Sequence, residues 1–152
     1  MADKVPLMTV KPIGFVRSEV KQAGRHDSPG LISEIVIDSS LTEALDGLEE
    51  FSHIIVLYWM HKVTEDKVSL RVHPMRRKEL PLTGLFATRS PNRPNPIGKT
   101  TIRLLQRQNN ILRVEGLDAI DGTPVIDIKP YIPGGDAVAD AKVPKWIEKA
   151  NQ

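Results

Sequence analysis

Three prolines fall within six residues, Pro91, Pro94 and Pro96, inside the stretch GLFATRSPNRPNPIGKTTIR that runs from Gly84 to Arg103. Each proline holds φ near one value and has no N–H to donate, so this stretch can be neither a helix nor a central strand. The runs on either side alternate as strands do, which makes it a stiff loop between strands. Stiffness keeps Arg89 and Arg93 in place, because an ordering cost met during folding is not met again on binding. Guanidinium and amide groups on an ordered loop suit an anionic or planar polar ligand. The alternative is a rigid turn whose arginines are merely solvated.

Gly98-Lys99-Thr100 looks like the end of a phosphate-binding P-loop, but the first glycine of that pattern would fall at Arg93. Such a loop also cradles phosphate with successive backbone N–H groups, and Pro94 and Pro96 have none. A P-loop NTPase is therefore excluded as a reading of this motif.

At 152 residues the whole chain, 1–152, is expected to form a single domain with a core that needs no staples. The absence of cysteine removes disulfides and thiolate sites. His26, His53, His61 and His73 form no pair at metal-ligand spacing, so no metal is expected. No apolar run approaches the ~20 residues of a membrane helix, and the first residues lack a secretory core, so a cytoplasmic protein without membrane association is expected. The net charge of +2 conceals segregation: between Lys67 and Arg113 stand eleven Lys and Arg against the single acid Glu79. The remainder is acidic. An electropositive surface on an acidic body is the footprint expected for a polyanion such as RNA.

In chain order, residues 9–20 and 31–38 read as strands separated by a polar loop long enough to bind something. Ser40-Leu41-Thr42-Glu43 has the form of a capping box, and Leu41, Leu45 and Leu48 follow at helical spacing, which predicts a short helix ending near Gly47. His53 to Met60 is a continuous apolar run, expected as a strand in the middle of the fold with His61 and Lys62 at its exit. Residues 68–73 alternate until Pro74, and Arg76, Arg77 and Lys78 then form a basic loop suited to phosphate contacts. Beyond the proline loop, Thr100, Ile102 and Leu104 are expected to face inward and Lys99, Thr101 and Arg103 outward, with Asn109-Asn110 turning the chain into the next strand. Period two also places Asp127, Lys129 and Tyr131 on one face, as a salt-bridge ladder or as the wall of an active site. Around Trp146 a terminal helix is expected to dock. No G-x-G occurs, so a Rossmann cradle is absent and the strand pattern argues for a mainly β, non-Rossmann fold.

The stretches RSPNRPNPIG and LDAIDGTPVIDIKPYIP, with IGFVRS and FSHIIVLYWMH before them, closely resemble the TrmO (TsaA-like) tRNA methyltransferases over roughly residues 13–133. The resemblance implies a β-barrel-like domain, a homodimer, S-adenosylmethionine as methyl donor, and N6-methylation of threonylcarbamoyl-adenosine beside the anticodon of tRNA. It places donor contacts at Arg89 and Lys99, at Leu117, Asp118, Ala119 and Ile120, at His61 and Lys62, and in the early loop at Asp27 and Ser28. Asp127 and Tyr131 are the expected catalytic residues, polar acceptors near the amine, and Arg76, Arg77, Lys78, Arg93 and Arg103 the expected RNA contacts. Two positions depart from the family: His26-Asp27-Ser28 stands where Pro-Arg-Gln is usual, and Lys99 where an apolar residue is common. Many relatives also carry a further C-terminal domain, so the expected grip on tRNA falls to the basic 67–113 region. A non-catalytic RNA-binding β-domain and a donor-binding sensor are the competing readings.

Overall fold

The computed structural model describes residues 4–19, 30–62 and 67–150. Six strands close into an antiparallel barrel: β1 (Gly14–Arg17), β2 (Ile32–Ile37), β3 (His53–Trp59), and, after a small two-stranded excursion, β6 (Ile97–Gln108), β7 (Ile111–Glu115) and β8 (Pro124–Pro130). Their order around the barrel is β1-β2-β7-β6-β3-β8, with β8 pairing back onto β1. The excursion consists of β4 (Arg71–Val72) and β5 (Thr83–Gly84), which pair with each other alone. The mainly β, non-Rossmann expectation is met.

Closure follows from alternation. Along β3, Ile54, Val56 and Tyr58 point inward and are buried, while His53, Ile55, Leu57 and Trp59 point outward and are half-buried. Val16, Ile35, Leu112, Val114 and Val125 from the other strands meet them inside and are fully buried. Removing each such side chain from water contributes roughly 1.5–3 kcal/mol, and closing the sheet leaves no barrel strand with an unpaired edge. β3 is thus central in the sense of lying between β6 and β8. Its apolar run reflects a core on one side and a half-covered outer face on the other.

Several expected elements are shorter or differently built. The early strand covers Gly14–Arg17, and the 68–73 run contributes only the two residues of β4. The short helix is a 3-10 turn, Ser39–Leu45, capped by Asp38, whose carboxylate accepts from the Ser40 amide at 2.9 Å. The aspartate two residues earlier therefore does what the capping box assigned to Ser40. Gly47 breaks the turn at φ 90° before a second one at Leu48–Glu50. Arg107 clamps both to the barrel: its Nη1 meets Asp46 at 3.0 Å and Glu49 at 3.5 Å, and its Nη2 donates to the Thr42 carbonyl at 3.3 Å. Inward Ile102 and Leu104 and outward Lys99, Thr101 and Arg103 agree with the period-two reading of β6, and Asn109 takes φ 55° in the tight turn to β7. The chain ends with a single turn, α1 (Pro133–Asp136), and a terminal helix, α2 (Lys145–Ala150).

Candidate functional site

At one end of the barrel, three segments meet around Tyr58. The segment Leu117–Ile120 has no regular structure, yet Leu117 and Ala119 are buried while Asp118 is exposed. This alternation pins it across the barrel end and leaves the Asp118 carboxylate facing out. The Tyr58 hydroxyl bonds the Thr100 hydroxyl at 3.0 Å and donates toward the Asp118 carbonyl at 3.4 Å. Burial pushes the Tyr58 phenol up from its usual value, the Thr100 bond pulls the other way, and the Asp118 charge raises it again, so Tyr58 stays a neutral donor. Its ring lies against Gly98, where any Cβ would run into the aromatic edge. Glycine at that position is what allows the phenol to reach Thr100.

The other two segments flank this tether. The Met60 amide donates to the Pro96 carbonyl at 2.8 Å, so the exit of β3 holds the outgoing end of the proline loop. Gly122, at φ 82°, makes the turn after Ile120, and a Cβ there would stand 4.0 Å from Nε2 of His61. The turn is anchored from below by the Gly122 amide on the Val16 carbonyl at 2.7 Å and by Thr123 on the Ile120 carbonyl. Among the described residues, the amides of Ala119 and Ile120 donate to no protein group. Available backbone donors, an outward carboxylate and a neighbouring imidazole can read the edge of a flat heterocycle and hold hydroxyl or ammonium groups.

The structure therefore brings His61 and Leu117, Asp118, Ala119 and Ile120 together beside the start of β6, with Lys62 next in the chain after His61. Lys99 lies one residue past Gly98 but on the outer face, level with Leu57 and, across it, Asp127. Asp127 is paired with Lys129 at 3.0 Å along its own strand, and Tyr131 packs edge-on against His53 with ring centres 6.4 Å apart. Asp127 thus shares the outer face of β8 with Lys129, and Tyr131, one residue past the strand, continues the row beside His53, as the period-two reading placed them. Asp27 and Ser28 lie outside the described residues.

Arg89 sits elsewhere, at the incoming end of the proline loop. It lines a groove of about 810 Å³ with Arg76 and Lys78 of the basic loop and with Trp146 of the terminal helix. Arg77 turns to Glu79 at 2.6 Å. Arg93 folds back on its own loop: Nη1 donates to the carbonyls of Thr88 at 2.9 Å, Ser90 at 3.1 Å and Leu85 at 3.5 Å. Its guanidinium also lies 5.7 Å from the centre of the Phe86 ring. Nη1 of Arg93 is thus spent on loop geometry, and Arg103 stands exposed on the outer face of β6. Sequence reasoning passed over Tyr58, Gly98, Thr100 and Phe86. A phenol among the inward residues of an apolar strand was the available signal, because a buried hydroxyl requires a partner. Among the described residues no group of three or more His, Cys, Asp or Glu could hold a metal ion, and no helix is long and apolar enough to cross a membrane.

Several known proteins are similar to this chain. Two proteins of Archaeoglobus fulgidus are similar: one named probable S-adenosyl-L-methionine-binding protein, 42% identical over 95% of this chain and 39% of its own length, and one named S-adenosyl-L-methionine-binding protein, 46% identical over 86% of this chain and 94% of its own. The Escherichia coli tRNA (adenine(37)-N6)-methyltransferase is 36% identical over 85% of this chain and 60% of its own length. The crystal structure of TrmO from Pseudomonas aeruginosa superimposes with a TM-score of 0.73 at 36% identity, over 90% of this chain and 61% of that one. The chain thus spans nearly all of one relative and about two fifths to three fifths of the others. Residues 21–137 match the tRNA-methyltransferase O N-terminal domain, and the chain belongs to that family.

Proposed function

We propose that this chain binds S-adenosylmethionine at the Tyr58 end of the barrel and transfers its methyl group to tRNA, at N6 of threonylcarbamoyl-adenosine beside the anticodon. The observation that carries the reading is the irregular Leu117–Ile120 segment, whose Ala119 and Ile120 amides remain available next to His61 and the outward Asp118. The donor supplies an already activated methyl on a sulfonium, so the protein's work is alignment and exclusion of water. The two amides suit the adenine edge, and Asp118 suits the donor's hydroxyl or ammonium groups. Lys99, at the start of β6, suits its carboxylate, whereas Arg89 lines the other groove. Asp127 and Tyr131 are assigned to the attacking amine, which must lose a proton as the new bond forms. The resemblance to the family also supports a homodimer and, with tRNA as substrate, action in the cytoplasm.

Incubation with labelled donor and bulk tRNA, followed by nucleoside analysis, tests this directly. Label in methylated threonylcarbamoyl-adenosine is the expected result; label in no nucleoside refutes the transferase reading. Tyr131→Phe and Asp127→Leu should then lower turnover more than donor affinity, and unchanged turnover removes that residue from the mechanism. A second reading, a donor-binding module without transfer, is favoured by the name of the Archaeoglobus relative that the chain nearly spans. It predicts donor binding by calorimetry with no methylated product.

A further inference from the structure

The basic residues of the 67–113 segment do not spread evenly over the surface. Among the described residues, Arg71, Arg76, Lys78 and Arg89 line one groove and no acidic side chain lines it with them. Phe86 stands in the same groove and is 79% exposed, an unusual position for a phenylalanine that serves no core. The Arg93 guanidinium lies over its ring while three loop carbonyls hold that guanidinium from behind. The ring is therefore oriented, and its exposure leaves a face open to solvent. Trp146 closes the opposite chain end onto the groove from the terminal helix.

The basic loop is held in an uncommon form. Met75 and Arg76 both take φ 57°, a left-handed conformation that costs a side-chain-bearing residue roughly 1–2 kcal/mol each. The His73 ring bonds the Leu80 carbonyl at 2.9 Å, and buried Pro74 and Leu80 bracket the turn. Strain held by such anchoring fixes where the cations stand.

Oriented aromatic faces among cations in a narrow channel are the elements of single-strand nucleic-acid binding: bases stack and phosphates meet the charges. We propose that this groove binds an unpaired RNA loop, with Phe86 as a stacking platform for one base and Arg71, Arg76 and Lys78 along the phosphates. The inference deepens the tRNA reading and rests on it for the choice of RNA. A cavity of about 810 Å³ is large enough for a nucleotide or two and far too small for a duplex.

The test is fluorescence anisotropy without donor, comparing a labelled anticodon stem-loop RNA with a fully paired RNA hairpin of equal charge. The stem-loop should bind more tightly. Phe86→Ala should weaken it about 5- to 150-fold, the loss of one stacked base, while Phe86→Trp restores it. Arg71→Ala and Lys78→Ala should each lower the salt slope by about 0.7. Because Phe86 is exposed, its loss leaves the fold intact, which circular dichroism verifies, and S-adenosylmethionine affinity by calorimetry should stay within about twofold. Unchanged stem-loop affinity in Phe86→Ala, equal losses for stem-loop and hairpin, or loss of donor binding would each overturn the proposal. A chain that binds the stem-loop through Phe86 yet transfers no methyl would sink the transferase reading and leave this one standing.

Discussion

Replacing Tyr58 by phenylalanine removes one oxygen from the point where β3, β6 and the Leu117–Ile120 segment meet. The bond to Thr100 at 3.0 Å is of ordinary length, and the one to the Asp118 carbonyl at 3.4 Å is near the limit. A neutral hydrogen bond contributes a net of about 0.5–1.5 kcal/mol, so the first supplies most of an expected loss of ~1 kcal/mol. In a domain of this size that lowers Tm by roughly 2–4 °C. Thr100→Val removes the same bond from the other side and should cost a similar amount. If the two hydroxyls act as one unit, the double variant should cost less than the sum of the singles, with a coupling of about 0.5–1.5 kcal/mol. Urea unfolding followed by tryptophan fluorescence measures all four proteins. The pH dependence supplies an independent check. Burial above all raises the Tyr58 phenol over its usual 10.0. The folded state therefore holds that proton more tightly than the unfolded state does. The corresponding stability is fully present below pH 10, is lost as pH rises through the higher folded value, and should be missing from the alkaline limb of Tyr58→Phe. Strictly additive losses, or identical alkaline limbs, would refute the tether.

Arg93→Ala removes the Nη1 donor that meets the carbonyls of Leu85, Thr88 and Ser90, so the proline loop should loosen at a cost of about 1.5–3 kcal/mol, read by urea unfolding; an unchanged midpoint would return Arg93 to the role of a solvated surface charge. Asp38→Asn should remove an acid-sensitive contribution at the Ser39–Leu45 turn. The bonds from Ser40 hold the Asp38 carboxyl below its usual 3.8, so its stabilisation is present above that value and is lost as pH falls through the lower folded value. Acid titration of unfolding should show a shallower limb in the variant. Asp118→Ala should weaken S-adenosylmethionine binding about 10-fold or more, the loss of a charge-assisted hydrogen bond, with little change in stability because the carboxylate is exposed; equal donor affinity by calorimetry would remove Asp118 from the site.

Much of the scaffold was legible in residue order alone. The alternation of Ile102 and Leu104 with Lys99, Thr101 and Arg103 stated which side of β6 meets the core, and the prolines at 91, 94 and 96 stated where a strand could not be. Both are local facts, decided by a two-residue period and by a missing N–H. The capping of Ser39–Leu45 was misread by two positions because Asp38 and Ser40 are both competent caps, and only the path of the chain leaving β2 selects between them. Asp127, Lys129 and Tyr131 were placed correctly on one face, and Lys129 meets Asp127 along its own strand, but that Tyr131 turns to His53 depends on how β8 registers against β3.

What the sequence determined by itself was the approximate positions of the six barrel strands, the stiffness of one loop and the concentration of positive charge between Lys67 and Arg113. Only closure of the barrel decided that Pro96, Tyr58, Asp118 and His61 stand at one end while Arg89 lines a different groove with Arg71, Phe86 and Trp146. The physical reason is range. A side-chain period, a proline or a charge acts over a few residues, whereas Tyr58 and Asp118 lie 60 apart along the chain and meet only when β6 and β8 have both paired with β3.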